Sequence, residues 1–295
     1  MLLARLFAEG QRIYDARSDL RQRFASPAGL DYWVWLMSDG LRQHPEVAAL
    51  VPVPPLELIG NVVSAQAGIE FFQESGLSEA RQLFTLLAEG GFTLTSGGKL
   101  LDFGCGCARI LRFMARLADT VQLHGADPDE KAIAWCRANL DYAHFEQLSA
   151  WPPSPYPDNT FRAVYAYSVF THLDEKLHRA WLEDLHRVTE PGAALVLTTA
   201  GRRCVDEILG PRAREFTFPT GDELRAAKPR LEAGEYAFFP YDFEVSSLPA
   251  EMAPRYGMTF FYPSYIRRHW TDLFEVVAAH EGPSGWQDYI VLRRR

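Results

Sequence analysis

The chain has 295 residues, length for one large domain or two ordinary ones, and with 47% hydrophobic and 23% charged residues it can bury a sizeable core. Lys and Arg number 30 against 38 Asp and Glu, a formal net charge of −8, and the one basic run is Arg293-Arg294-Arg295, which argues against a nucleic-acid partner. Cys105, Cys107, Cys136 and Cys204 are too few for a disulfide framework, and no Cys-x-x-Cys or close His pair completes a ligand set, so no metal is expected.

The N-terminus lacks a signal-peptide pattern and nothing approaches a membrane span, so a soluble, cytoplasmic protein without a membrane partner is expected. Residues 1–95 read as a helical extension or lid. Leu3, Leu6, Phe7, Ile13 and Tyr14 recur at helical spacing. Val51-Pro52-Val53-Pro54-Pro55 is a connector, and Ser78-Glu79 opens a further helix that Gly90-Gly91 stops.

From Lys99 the pattern becomes strands alternating with helices. The predicted strands are 99–103, 121–126, 145–148, 161–168, 193–199, 274–279 and 289–292. Between them, Pro128, Asp129 and Glu130 suit the start of one helix, and Leu177, Trp181, Leu185 and Val188 mark the apolar face of another. Such alternation predicts an α/β fold with a mostly parallel, doubly wound sheet. Residues 96–200 and 263–295 form its core, and the Pro-, Phe- and Tyr-rich stretch 201–262 is a cap inserted before the last two strands.

The chemistry concentrates in Leu101-Asp102-Phe103-Gly104-Cys105-Gly106-Cys107-Ala108-Arg109, where a strand runs through glycines into a helix. Ligands of open α/β sheets bind at such carboxyl ends. A dinucleotide fingerprint wants a third glycine where Arg109 stands. Asp102 before the turn would repel a pyrophosphate and attract a ligand bearing an amino group and a sulfonium. Asp127 ends the second strand about 20 residues on, where an acid accepts bonds from ribose hydroxyls.

LLDFGCGCARILR, GADPDEKAIAWCRANL, PYPDNTFRAVYAYSVFTHL and RVTEPGAALVLTT, in that order, resemble the successive motifs of class I S-adenosylmethionine-dependent methyltransferases. The resemblance implies a Rossmann-like seven-stranded sheet with its last strand antiparallel. It implies S-adenosylmethionine as cofactor and S-adenosylhomocysteine as product. Residues matching Asp102, Gly104 and Gly106 would hold the methionine part, and Asp127 the ribose. Phe103, Cys105, Arg109, Pro128, Leu148, Ser149 and Ser168 complete the candidate cofactor contacts. Two departures stand out. Ala108 replaces a third glycine, which a helix start should tolerate. The stretch Gln147-Leu148-Ser149-Ala150-Trp151 also lacks the acid often found facing the adenine, so Ser149, with Leu148 or Trp151 against the ring, stands in its place.

His172, in the loop after the fourth strand, is the candidate base, because imidazole titrates near neutrality. The structural alternative makes Thr171 a helix N-cap and Asp174 its third residue. Aromatic residues at 32–35 and 238–265, Phe243 among them, suggest an apolar acceptor pocket, with Tyr14, Phe170, Tyr241, Tyr262 and Tyr265 as candidate substrate contacts. The expected activity is methyl transfer to oxygen or nitrogen of a small organic acceptor, in specialised metabolism, by a monomer or homodimer. The alternatives are a cyclisation, rearrangement or elimination on the same scaffold, a nicotinamide-dependent oxidoreductase, and a binding module without catalysis.

Overall fold

The computed structural model describes residues 2–63, 68–93, 97–210, 213, 218–242 and 247–295. Among them the strands β1 (Lys99–Phe103), β2 (Gln122–Asp127), β3 (Ala143–Gln147), β4 (Phe161–Ala166), β5 (Thr189–Thr199), β6 (Ala237–Pro240), β7 (Gly257–Phe260), β8 (Phe274–Glu281) and β9 (Asp288–Arg294) fall into two sheets. The large one has the order β3-β2-β1-β4-β5-β9-β8, parallel from β3 to β5, with β9 antiparallel to both neighbours. This is the expected seven-stranded Rossmann-like sheet. Its order reverses between β1 and β4, which opens a crevice at their carboxyl ends.

Side-chain alternation along the strands builds two cores. Leu100, Tyr165, Ala194, Val196 and Val291 face one side, where the N-terminal helices pack. Leu101, Phe103, Val164, Leu195, Leu197 and Leu292 face the other. The principal helices are α1 (Leu2–Ala16), α2 (Leu56–Val62), α3 (Gly68–Glu89), α4 (Glu130–Asn139), α5 (Glu175–Val188), α6 (Arg202–Leu209), α7 (Gly221–Glu232) and α8 (Pro263–His269). Leu177, Trp181, Leu185 and Val188 are buried on α5 as their spacing predicts.

Helix α3 starts ten residues before Ser78-Glu79 and buries Leu83, Leu86 and Leu87 in the first core. Thr171 is not a helix cap. Asp174 is, its Oδ1 accepting the Leu177 N–H at 2.7 Å, so α5 begins at Glu175. Strand β5 takes up Thr189 through Gly192, which the Pro191-Gly192 pair does not break. β6 and β7 form a separate antiparallel pair between α7 and α8.

Candidate active site

The turn after β1 is laced to the end of β2. Gly104 and Cys105 donate their N–H groups to the Ala126 carbonyl at 2.7 and 3.1 Å. Asp127 takes Gly106 N–H on Oδ2 and Asp129 N–H on Oδ1, both at 2.8 Å. Gly104 and Gly106 have φ of +81° and +51°, and a Cβ on either would lie 2.3 Å from a valine methyl, Val169 or Val62 respectively. Neither position has room for a side chain, and both need the left-handed backbone that glycine adopts freely. Ala108 also has a positive φ, 60°, so the missing third glycine falls within the strained turn and not in a relaxed helix start.

This turn floors a cavity of about 760 Å³. Every candidate cofactor residue lines it: Asp102, Phe103, Gly104, Cys105, Gly106, Arg109, Asp127, Pro128, Leu148, Ser149 and Ser168. Asp102 is 2% exposed, and the Tyr165 hydroxyl donates to it at 2.8 Å. Burial pushes its carboxyl up to about 7, helped by the negative Asp127 and opposed by the Tyr165 bond and by Arg109. Burial likewise raises Asp127 to about 6 against its two backbone N–H donors. Two acids whose ionisation is suppressed by burial are stabilised in their charged form by any cation that enters.

Arg109 is buried and lies 5.1 Å over the Tyr167 ring, with a bond to Ser75 Oγ at 3.1 Å. Among the described residues no carboxylate is within ion-pair distance of it. Tyr167 donates to Glu79 at 3.1 Å, and Tyr289 donates to the other oxygen of the same carboxylate. The wall thus offers acids toward a cation and an arginine toward an anion, as a zwitterionic amino-acid tail requires.

The far end is built around His172. Its Nδ1 lies 2.8 Å from the Gly257 carbonyl, so Nδ1 carries the proton and Nε2 keeps a lone pair, 3.3 Å from Ser168 Oγ. Its ring stacks on Tyr256 at 5.1 Å, and the Tyr241 hydroxyl is 3.3 Å from Nδ1. Burial lowers its pKa below the usual value, the Gly257 carbonyl acting against that. The 171–174 loop is held against β7 by Thr259 N–H on the Thr171 carbonyl and Gly257 N–H on the His172 carbonyl, at 2.9 and 2.8 Å.

Of the candidate substrate contacts, Tyr241 lines the cavity and four do not. Tyr14 bonds the Phe24 carbonyl and packs edge-on to Tyr32 in the N-terminal layer. Phe170 is fully buried among Phe103, His178 and Trp270. Tyr262 sits beneath Arg202 in the cap core, and Tyr265 stacks on His269 and donates to Glu175. Trp151 is outside the lining as well, its ring covered by Arg255 and Lys176. Phe243 lies outside the described residues. The lining also contains Asn61, Val62 and Val63 from the end of α2, and Leu248, Met252 and Tyr256 from the cap, none of them singled out from sequence. The Pro-rich connector before α2 was the one local signal near the first group.

Comparison with known proteins bears on this cavity. Residues 100–192 match a methyltransferase domain family model. Over 133 residues the chain is 32% identical to 27-O-demethylrifamycin SV methyltransferase of Amycolatopsis mediterranei, covering 42% of this chain and 47% of that protein. Over 117 residues it is 30% identical to the mitochondrial ubiquinone biosynthesis O-methyltransferase of Schizosaccharomyces pombe, covering 39% and 42%. The chain thus spans less than half the length of either curated relative. The PH0226 protein of Pyrococcus horikoshii OT3 shares the fold, with a TM-score of 0.54 at 16% identity over 78% of this chain and 94% of that one.

Over residues 100–192 the chain is similar to a methyltransferase domain, and its seven-stranded sheet with a cavity at the strands' carboxyl ends is the fold expected of class I S-adenosylmethionine-dependent methyltransferases. The cavity fits S-adenosylmethionine: the buried Asp102 suits its cationic groups, Asp127 its ribose hydroxyls, Arg109 its carboxylate, and the glycine turn has no side chains to keep it from the backbone. Among the described residues no cluster of His, Cys, Asp and Glu could hold a metal ion, and no helix is long and apolar enough to cross a membrane.

Proposed function

We propose that this protein transfers a methyl group from S-adenosylmethionine to oxygen or nitrogen of a small organic acceptor, in the cytoplasm and in specialised metabolism. The observation that carries the reading is one cavity with Asp102, Asp127 and Arg109 at one end and His172 among Tyr241, Tyr256, Leu248 and Met252 at the other. When bound, the sulfonium would supply an activated methyl group, which passes to a nucleophile as its bond to sulfur breaks and the neutral thioether leaves. The protein's part is to align that nucleophile, exclude water and accept a proton.

In this reading Asp102, Phe103, Gly104, Cys105, Gly106 and Arg109 hold the methionine end. Asp127 and Pro128 hold the ribose, and Leu148 and Ser149 the adenine. Ser168, counted from the sequence among the candidate cofactor contacts, is here assigned with His172 to the acceptor side. The names of both curated relatives specify methylation at oxygen, which supports oxygen ahead of nitrogen here. Residues 1–95 and 201–262 flank the catalytic core as extension and cap, and the enzyme works as a monomer or homodimer without a nucleic-acid partner.

Calorimetric titration with S-adenosylhomocysteine tests the cofactor half, with micromolar binding expected. Mass spectrometry of incubations with S-adenosylmethionine and a panel of simple phenols, alcohols and amines tests the transfer half. S-adenosylhomocysteine is expected to form in step with a product 14 mass units heavier. Absence of binding at millimolar ligand overturns the reading.

A further inference from the structure

Ser168 occupies an unusual backbone position. It is a non-glycine residue at φ 61°, held there by its N–H on Thr198 Oγ1 at 2.7 Å. Gln287, at the start of the last strand pair's return, reaches over with Nε2 at 2.9 Å from Ser168 Oγ. An amide nitrogen only donates, so that bond occupies a lone pair of the Ser168 oxygen and leaves its hydrogen to be given elsewhere. The acceptors in reach are His172 Nε2 at 3.3 Å and, more distant, Thr171 Oγ1 at 3.5 Å. His172 Nδ1–H in turn donates to Gly257. The bonds therefore run in one direction, Gln287 to Ser168 to His172 to the Gly257 carbonyl. Gln287 Oε1 is buried without a protein partner among the described residues, so the bond to Ser168 is the one that holds the amide there.

We propose that Ser168 is the residue that takes the proton from the acceptor's hydroxyl and hands its own to His172, with Gln287 as the positioning residue that sets the direction of transfer. The inference rests on the methyl-transfer reading above. The Ser168 oxygen, accepting from Gln287 and donating to His172, has one lone pair left for an incoming hydroxyl. The acceptor's O–H bond breaks and its electron pair stays on the acceptor oxygen. The proton passes to Ser168 Oγ as the Ser168 hydrogen passes to Nε2, and the resulting imidazolium is steadied by the Gly257 carbonyl. The titratable groups touching His172 are Tyr241 and Tyr256, and among the described residues no carboxylate bonds it. An uncharged hydroxyl suits this end, because a cationic amine would find no counter-charge at His172.

The test is nitrogen-15 NMR of the histidine side chains in the full-length protein. In the wild type, His172 is expected as the Nδ1–H tautomer with Nε2 shifted by a hydrogen bond. In Ser168→Ala the Nε2 resonance moves toward a bare lone pair, and the His172 pKa rises by about one unit, since a bond to the neutral ring is lost. Gln287→Glu keeps the shape but only accepts, so it draws the Ser168 hydrogen away and moves Nε2 in the same direction. Should that variant not fold, Gln287→Met removes the donor at similar length and is read in its place. An unchanged Nε2 resonance and pKa in the Ser168 and Gln287 variants, or an Nε2–H tautomer in the wild type, overturns the relay. S-adenosylhomocysteine binding to the wild type is read separately. Its absence with the NMR pattern intact overturns the methyl-transfer reading, and the relay's role in it, while leaving the hydrogen-bond chain itself in place.

Discussion

Asp127 closes the turn that Gly106 opens: its Oδ2 accepts the Gly106 N–H at 2.8 Å while Oδ1 accepts that of Asp129. The residue proposed to hold the ribose therefore also holds the glycine turn in place, and through Asp129 it fixes the start of α4. Asp127→Ala leaves two buried donors unsatisfied, at about 1–3 kcal/mol each. Chemical denaturation is expected to show a loss of about 2–6 kcal/mol, and Asp127→Asn, which keeps one acceptor, a smaller one. A loss in Asp127→Ala within measurement error would show that the turn holds without it.

Asp102 makes stability and cofactor binding respond oppositely to pH. Its folded-state pKa of about 7 lies above the ordinary 3.8, so the folded protein holds a proton that the unfolded chain has released. The stabilising contribution is present at low pH and is lost as pH rises through that window. Asp102→Asn removes the ionisation while leaving an oxygen for Tyr165. The cofactor-free Asn variant is expected to gain stability over the wild type progressively from pH 4 to pH 7.5, read by thermal denaturation of both proteins. A cation in the cavity lowers the same pKa, so S-adenosylhomocysteine binding, through its ammonium group, should release protons near pH 6 and weaken as pH falls below 7. Calorimetry in buffers of different ionisation enthalpy counts those protons, and none released would contradict the assignment.

The half of the cavity that was legible from sequence is the half built by neighbours. Strand periodicity located β1 and β2, and a glycine turn after one with an acid ending the other needs no distant partner to be recognised. The acceptor end was not legible in this way. Gly257 lies 85 residues from His172, and Gln287 lies 119 residues from Ser168. A tyrosine that packs in a cap core and one that lines a cavity also look the same in a sequence. Tyr262 and Tyr241 differ in what the cap folds against them, so the aromatic composition pointed to a pocket but placed only Tyr241 in it. The helix start expected at Thr171 failed because β7 captures that residue's carbonyl, a pairing set by tertiary structure.

In the proposed reading His172 acts as base in its neutral form. Because burial holds its pKa below the usual value, the neutral form persists into mildly acidic solution. Turnover limited by this group should therefore hold below pH 6.5 and fall only at lower pH. His172→Ala and His172→Gln are both expected to reduce the rate of S-adenosylhomocysteine formation about 10²–10⁴-fold, the usual contribution of a positioned base. Glutamine keeps a donor for Gly257, so a loss in both variants separates proton acceptance from loop anchoring. Cofactor affinity should change less than about twofold in each. Undiminished turnover in both variants would remove His172 from the chemistry.

Gly104 joins the turn to the loop after β4, because a Cβ there would stand 2.3 Å from Val169 Cγ2. Gly104→Ala meets two separate penalties. The φ of +81° costs an L-residue about 1–2 kcal/mol, and displacing Val169 adds about 1–3 kcal/mol of overpacking. Val169 adjoins Ser168, so the displacement should also disturb the acceptor end. Gly104→Ala is therefore expected to lose stability and to weaken both cofactor binding and turnover. Val169→Ala in the same chain removes the clash and leaves the backbone strain. The double variant should recover the overpacking part of the stability and part of the turnover while keeping a residual loss of about 1–2 kcal/mol, measured by denaturant unfolding of the four proteins of the cycle. Additive losses, with no recovery in the double variant, would show that Gly104 is required for its backbone conformation alone and that the contact with Val169 carries no strain.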